Sequence, residues 1–256
     1  MSARSIAKAA GVLAIGYAIT LGLFWALLNV PESSVPALAL SAVLAVLVAV
    51  AAGFTTASAA ALVAGAAFSP PAASAPLASL REIGGRALRA LPGFLAGLMI
   101  FAVLWWITGA ADDWWRAHRG EVDAVFLRYL GTGRTALVHE SVFQTTWLVR
   151  WALGLSAVAG LVAACTTGGI RAAAGGLRAA VRIVPLLVTA IAALVVGKGL
   201  SRLVYWRPKA IPPNWLEPAF VAIKLSVLYL LAIVIATFVL AAFQRAISRQ
   251  AFPART

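Results

Sequence analysis

The sequence predicts an all-α integral membrane protein: a six-helix bundle with interfacial amphipathic helices, formed as a single transmembrane domain over residues 1–256. Three observations predict it. The chain is 62% apolar and only 11% charged, where a soluble domain is roughly a quarter charged. Apolar runs of about 20 residues, each long enough to cross a bilayer core as a helix, recur along its whole length. Those runs lack the alternation of barrel strands, and lipid admits only helices or closed barrels as spanning structures.

The first span is placed at 9–30. "MSARSIAKAAGVLAIGYAITLGLFWALLNV" has a basic start and an apolar core longer than a signal-peptide h-region. No clean small-x-small site follows, so an uncleaved span is expected over a removed signal peptide. The second span, 36–62, sits in an apolar run from Val35 to Phe68. As one helix that run would be about 50 Å long, too long for a bilayer core. Gly53 and "TTASAA" lie in its middle, so it is expected to bend there or to extend past the membrane. The remaining spans are read at 92–111, 144–165, 183–204 and 218–243.

Charge sets the expected orientation. Segments 1–8, 69–91, 166–182 and 244–256 carry Arg and Lys with one acid, Glu82, whereas the alternate loops hold the other acids. Lys and Arg in short loops stay cytoplasmic. The expectation is a multi-pass protein of the bacterial inner membrane with both termini inside. The net charge of +13 is therefore assigned to topology and to anionic lipid of the inner leaflet, and nucleic acid is not an expected partner. Cys165 is alone, which excludes an internal disulfide and a thiolate metal cluster.

Two inner loops resemble each other: "ALRALPGFL" (87–95) aligns with "AVRIVPLLV" (180–188). Each places an arginine, Arg89 or Arg182, three residues before a proline at the start of a span. At 3.6 residues per turn, Arg171, Arg178 and Arg182 fall within about 40° of one another. Ile170, Leu177, Val181 and Val184 share another face. In the first loop, Leu77, Leu80, Ile83, Leu88 and Leu91 oppose Arg81, Arg86 and Arg89. Both loops are predicted to be amphipathic helices on the inner leaflet that turn into spans three and five. A basic amphipathic stretch with Arg and then Pro before a span, as in "RALRALP" and "LRAAVRIVP", resembles bacterial six-span membrane domains of unknown function. Such domains are fused to some glycerophosphodiester phosphodiesterases. The resemblance implies a fold and no chemistry.

On the opposite side lies "WWITGAADDWWRAHRGEVD", residues 105–123. Asp112 and Asp113 fit the first turn of a new helix, where acids suit the helix dipole. Trp105, Trp106, Trp114, Trp115, Trp147 and Trp151 are read as membrane-interface anchors. A carboxylate site built with His118 is the alternative. Adjacent carboxylates point about 100° apart on a helix, so they seldom act together. The two histidines, His118 and His139, have no metal-binding spacing, and no metal is expected.

One group of side chains is singled out as a candidate ligand or anion site: Arg150, Lys198, Arg202, Arg207 and Lys224, at the outer ends of the last three spans. Arg150 and Lys224 lie inside apolar runs, where an unpaired charge is costly. Headgroup phosphate reached by snorkelling, a bound anion, or acids from another span are the expected compensation. Gly93 with Gly97, and Ser156 with Gly160, have the spacing of helix-packing contacts. No nucleophile–base pair and no nucleotide loop stand out, so no catalytic residue and no cofactor are assigned. The expected function is non-enzymatic: a structural or accessory subunit packing with other membrane proteins or lipid. The alternative is a small transporter or lipid-handling protein that uses the outer cations.

Overall fold

The structure is a computed structural model that describes residues 3–31, 34–68, 80–130, 132–206 and 216–251. Every regular element among them is helical: α1 (Ala3–Leu28), α2 (Val35–Phe68), α3 (Leu80–Ala117), α4 (Arg119–Leu130) and α5 (Thr132–Gly168), then a 3₁₀ turn (Gly169–Ala172), α6 (Ala173–Ala180), α7 (Ile183–Ala193), a π-helical segment (Leu194–Leu200), α8 (Ser201–Tyr205) and α9 (Leu216–Ala251). Six helical stretches are long and apolar enough to cross a membrane: Ser5–Leu28, Val35–Ala64, Glu82–Ala117, Thr135–Ala180, Ile183–Tyr205 and Leu216–Ser248.

The antiparallel pair α3 and α5 is the spine. Its contacts run in opposite chain order: Gly93 faces Cys165, Gly97 faces Val158, Thr108 meets Arg150, Asp112 meets Thr146, and Trp115 meets His139. Glycine permits the close approach at one end. A Cβ on Gly97 would lie 2.7 Å from the Val158 Cα, and one on Gly93 would lie 2.6 Å from the Cys165 Sγ. Without those methyls the helix axes come close enough for dispersion to hold them, the force that replaces the hydrophobic effect between helices in lipid. Gly160 and Gly176 repeat the device between α5 and α6, each standing where the other's added Cβ would strike a carbonyl oxygen at 2.6 Å. The core at the end carrying both chain termini is accordingly built of small residues, among them Ala57, Ala60, Ala87, Ala90, Ala163 and Cys165, closed by Phe243 and Ile247 of α9.

A polar clamp ties three helices there. Gln244 of α9, fully buried, donates from Nε2 toward Ala60 O (3.4 Å), Ala163 O (3.1 Å) and Thr166 Oγ1 (3.2 Å). At mid-depth, Tyr17 of α1 reaches Thr56 of α2 at 2.8 Å, and Tyr229 of α9 donates to the Ala14 carbonyl.

Two expectations are corrected. The segment before Pro92 is not a separate helix: α3 is continuous from Leu80, with Pro92 inside it. Proline removes one backbone bond, that to the Leu88 carbonyl. Both Leu88 and Pro92 are exposed, whereas Ala87 and Ala90 are fully buried. The defect faces away from the contact that holds the helix. Nor do Asp112 and Asp113 open a helix. They lie in the closing turns of α3, and the next helix begins at Arg119. The long second run, read as bending at Gly53 or extending past the membrane, is one unbroken helix from Val35 to Phe68. Gly53 instead makes room for the Phe94 ring, which would lie 2.6 Å from an added Cβ.

The second basic loop does break. Arg182 is extended (φ −72°, ψ 143°) between α6 and α7. Along it Ile170, Leu177, Val181 and Val184 are exposed, as are Arg171, Arg178 and Arg182. Apolar and basic side chains are thus both presented outward.

Candidate functional site

Two facing stripes form a polar region between α3 and α5. On α3, Trp105, Thr108, Asp112 and Trp115 recur at three- and four-residue steps, and on α5 His139, Phe143, Thr146 and Arg150 do the same. Such spacing puts each set on one side of its helix. The antiparallel register then pairs them.

Arg150 is held from three directions. Its Nε donates to Thr108 Oγ1 (2.7 Å), its Nη2 to Asp112 Oδ2 (3.0 Å), and its guanidinium lies 4.5 Å from the centroid of the Trp105 ring. Thr146 donates to the other carboxylate oxygen, Asp112 Oδ1, at 2.7 Å. The two charged side chains are 13% and 14% exposed. A charge-assisted pair in such surroundings is stronger than the same pair in water. Asp113, one residue on, points the other way. Its side chain is 77% exposed and meets Arg116 at 3.3 Å.

Nearer the Trp-rich end, buried His139 bridges two helices. Trp115 Nε1–H donates to its Nδ1 at 2.8 Å, and its Nε2 lies 2.7 Å from Asp123 Oδ1 of α4. Indole nitrogen is a donor only. The ring proton therefore sits on Nε2 and goes to Asp123, which fixes the tautomer. A His–Asp pair of this kind is two-thirds of a hydrolytic triad. Here the nitrogen that would receive a nucleophile's proton is occupied by a tryptophan N–H, so the arrangement braces the chain and offers no general base. His118 is elsewhere engaged, stacked at 4.6 Å on Trp114. Among the described residues no three His, Cys, Asp or Glu side chains converge as metal ligands would.

The candidate cations do not form one cluster. Arg150 faces α3. Lys224 of α9 donates to the carbonyls of Val204 (2.8 Å) and Trp206 (3.0 Å), capping the end of α8, where a cation also suits the helix dipole. Lys198, in the π-helical segment, lies 4.9 Å from the Trp147 ring centroid. Arg202 is exposed on α8, and Arg207 lies outside the described residues. Of the six tryptophans, Trp105, Trp106 and Trp114 are exposed. Trp115 meets His139, Trp147 packs on Gly197, and Trp151 stacks edge-on with Phe101 and Trp105 at 5.5 and 5.8 Å. Arg86 pairs with Glu82 at 2.7 Å, Arg89 is exposed, and Arg81 lies in the first turn of α3.

The partners Asp112 and Asp123 escaped the sequence argument. A signal existed: Thr108/Asp112 and Thr146/Arg150 are polar pairs four apart in two apolar helices, the pattern left when two spans share one polar contact. No family model, curated protein or solved structure matches this chain.

Proposed function

We propose that this chain is a non-enzymatic, multi-pass protein of the bacterial inner membrane. It acts as an accessory subunit that packs against other membrane proteins and lipid. Both termini are cytoplasmic, which places the Trp-rich end outside. The orientation rests on the Arg-rich, acid-poor segments at the terminal end. The bacterial assignment rests on the Ala-, Gly- and Arg-rich composition and on the resemblance to bacterial six-span domains.

The observation that carries the accessory reading is the environment of Arg150, whose side chain is 13% exposed. Its Nε and Nη2 and its flat face are engaged by Thr108, Asp112 and Trp105 of the same chain. That makes it a brace between helices and leaves a rival anion site built on it with less support. The outward apolar surface adds to this. The most apolar 18-residue window of α2 contains no buried residue, and a surface of that kind is covered by lipid or by another subunit.

The test is purification of the full chain in a mild detergent, with mass spectrometry of what accompanies it, together with topology reporters. A membrane protein at a fixed ratio to the chain is the expected result. Reporters within 70–88 and after 256 score cytoplasmic, and those within 112–135 score external. A chain that purifies alone from native membranes overturns the accessory role; a cytoplasmic score at 112–135 overturns the orientation.

A further inference from the structure

A cavity of about 430 Å³ lies inside the bundle, walled by α1, α2, α3, α5, α7, the π-helical segment and α9. Sites that enclose small ligands occupy about 300–1,000 Å³. On α5 its wall runs from Trp147 to Ala159, about 18 Å at 1.5 Å per residue. If a methylene is given the ~30 Å³ of a water molecule, the space holds on the order of a dozen of them. The dimensions are those of one extended hydrocarbon chain.

The polar atoms of the wall argue against a polar occupant. Thr56 donates to the Ala52 carbonyl at 2.8 Å, so the Tyr17 hydroxyl is the donor in their shared bond and has given up its proton there. Thr189 donates to the Pro185 carbonyl and accepts from Ser156. These hydroxyl protons are all engaged within the protein. A sugar, a nucleotide or a hydrated ion would lose water and find few partners. The rest of the wall is aliphatic and aromatic, and its remaining polar side-chain atoms are the indole nitrogens of Trp147 and Trp151.

The mouth faces sideways. Leu155, Val196 and Gly197 are wall residues that also reach the surface, and all lie within apolar spans. A cavity opening there meets acyl chains before it meets water. At the Trp147 end stands a cation, Lys198, over the same indole that forms the wall. Gly197 keeps this corner open to the ring, since a Cβ there would lie 2.5 Å from Trp147 Cζ2. The π-helical turn that carries both residues is of a kind often found at functional sites.

We infer that the cavity is a lipid site: it takes one acyl chain of a phospholipid through the α5/π-helix flank, with the lipid phosphate at the Lys198 end. This goes beyond the accessory role and does not depend on it.

The experiment uses the full chain in nanodiscs of phosphatidylethanolamine and phosphatidylglycerol carrying a phospholipid with a photoactivatable group near its chain end. Labelling is mapped by peptide mass spectrometry. Label is expected to concentrate on the wall, around Leu155 and Val158 and in 192–197, over the exposed α2 face around Val43 and Val46. Ala236→Phe and Ala193→Leu, which fill the space from α9 and α7, abolish the wall label and leave the α2 label unchanged. Lys198→Gln keeps the wall label but removes a preference for phosphatidylglycerol over phosphatidylethanolamine. Wall label no denser than α2 label, or undiminished in a folded filled variant, overturns the site. An unchanged headgroup preference overturns the placement of the phosphate. Should neither filled variant fold, the ratio of wall to α2 label in the unaltered protein decides.

Discussion

Replacing Asp112 with leucine strands Arg150. The guanidinium keeps Thr108 and the Trp105 face but loses its carboxylate, and Thr146 loses an acceptor. Removing one member of a buried pair costs about 3–5 kcal/mol. The pair is 13–14% exposed and close to the helix ends, so water and the indole ring recover part of that. The ring contributes roughly 0.5–2 kcal/mol. The expected loss for Asp112→Leu is thus about 2–3 kcal/mol, and Arg150→Met, which leaves Asp112 uncompensated, falls in the same range. The double variant Asp112→Leu/Arg150→Met loses much less, because an apolar pair of similar volume replaces an ion pair at little net cost. Thermal unfolding of the four proteins in one detergent closes the cycle, with about 2–4 °C per kcal/mol expected at this chain length. A coupling below about 0.5 kcal/mol, typical of exposed pairs, would refute the assignment of Arg150 as a brace.

Three more outcomes follow from the packing. Gly97→Leu must push α3 off α5, because its Cβ alone would lie 2.7 Å from a Val158 backbone atom; a loss of at least about 1–3 kcal/mol in the same assay is expected. His139→Phe removes both bonds that join α3 to α4 through α5, so limited proteolysis should cut faster within 118–131 while the far end of the bundle stays protected. Exchanging Arg171, Arg178 and Arg182 for Glu should weaken binding of the 166–184 peptide to anionic vesicles by on the order of 1 kcal/mol per charge, and unchanged binding would remove the leaflet assignment.

Hydropathy located the six apolar stretches but not where their helices begin. It puts the third and fourth spans from 92 and 144, whereas α3 starts at Leu80 and α5 at Thr132. A hydropathy window senses the lipid boundary, and a helix has no need to stop there. "LREIGGRALRAL" is rich in good helix formers, and Pro92 is tolerated because it faces outward. Asp112 lies in the same overlap of helix and boundary. Read beside its neighbour, it suggested a helix start; read with Thr108, one turn earlier, it belongs to a stripe. That Arg150 needed compensation was legible from its place in an apolar run. Which acid supplies it depended on the register of α3 against α5. Glycine contacts set that register, and a single sequence leaves them open to several alignments. The cavity was not legible at all, for a void is a property of six helices together.

The long second helix divides into two mechanical regimes. From Gly53 to Ala64 it is wedged among α1, α3, α5 and α9, with Ala57, Ala59, Ala60 and Val63 fully enclosed. From Val35 to Val50 most of its large side chains point outward, with Leu44 and Val48 half-buried, and those of α1 alongside, Phe24, Trp25 and Leu28, also point outward. One rod is thus anchored at one end and lightly tethered at the other. Local opening free energy follows the density of buried contacts. Amide exchange along α2 should therefore rise steadily from Ala64 toward Val35, and the Val35 end of the helix can yield to a neighbour without disturbing the core.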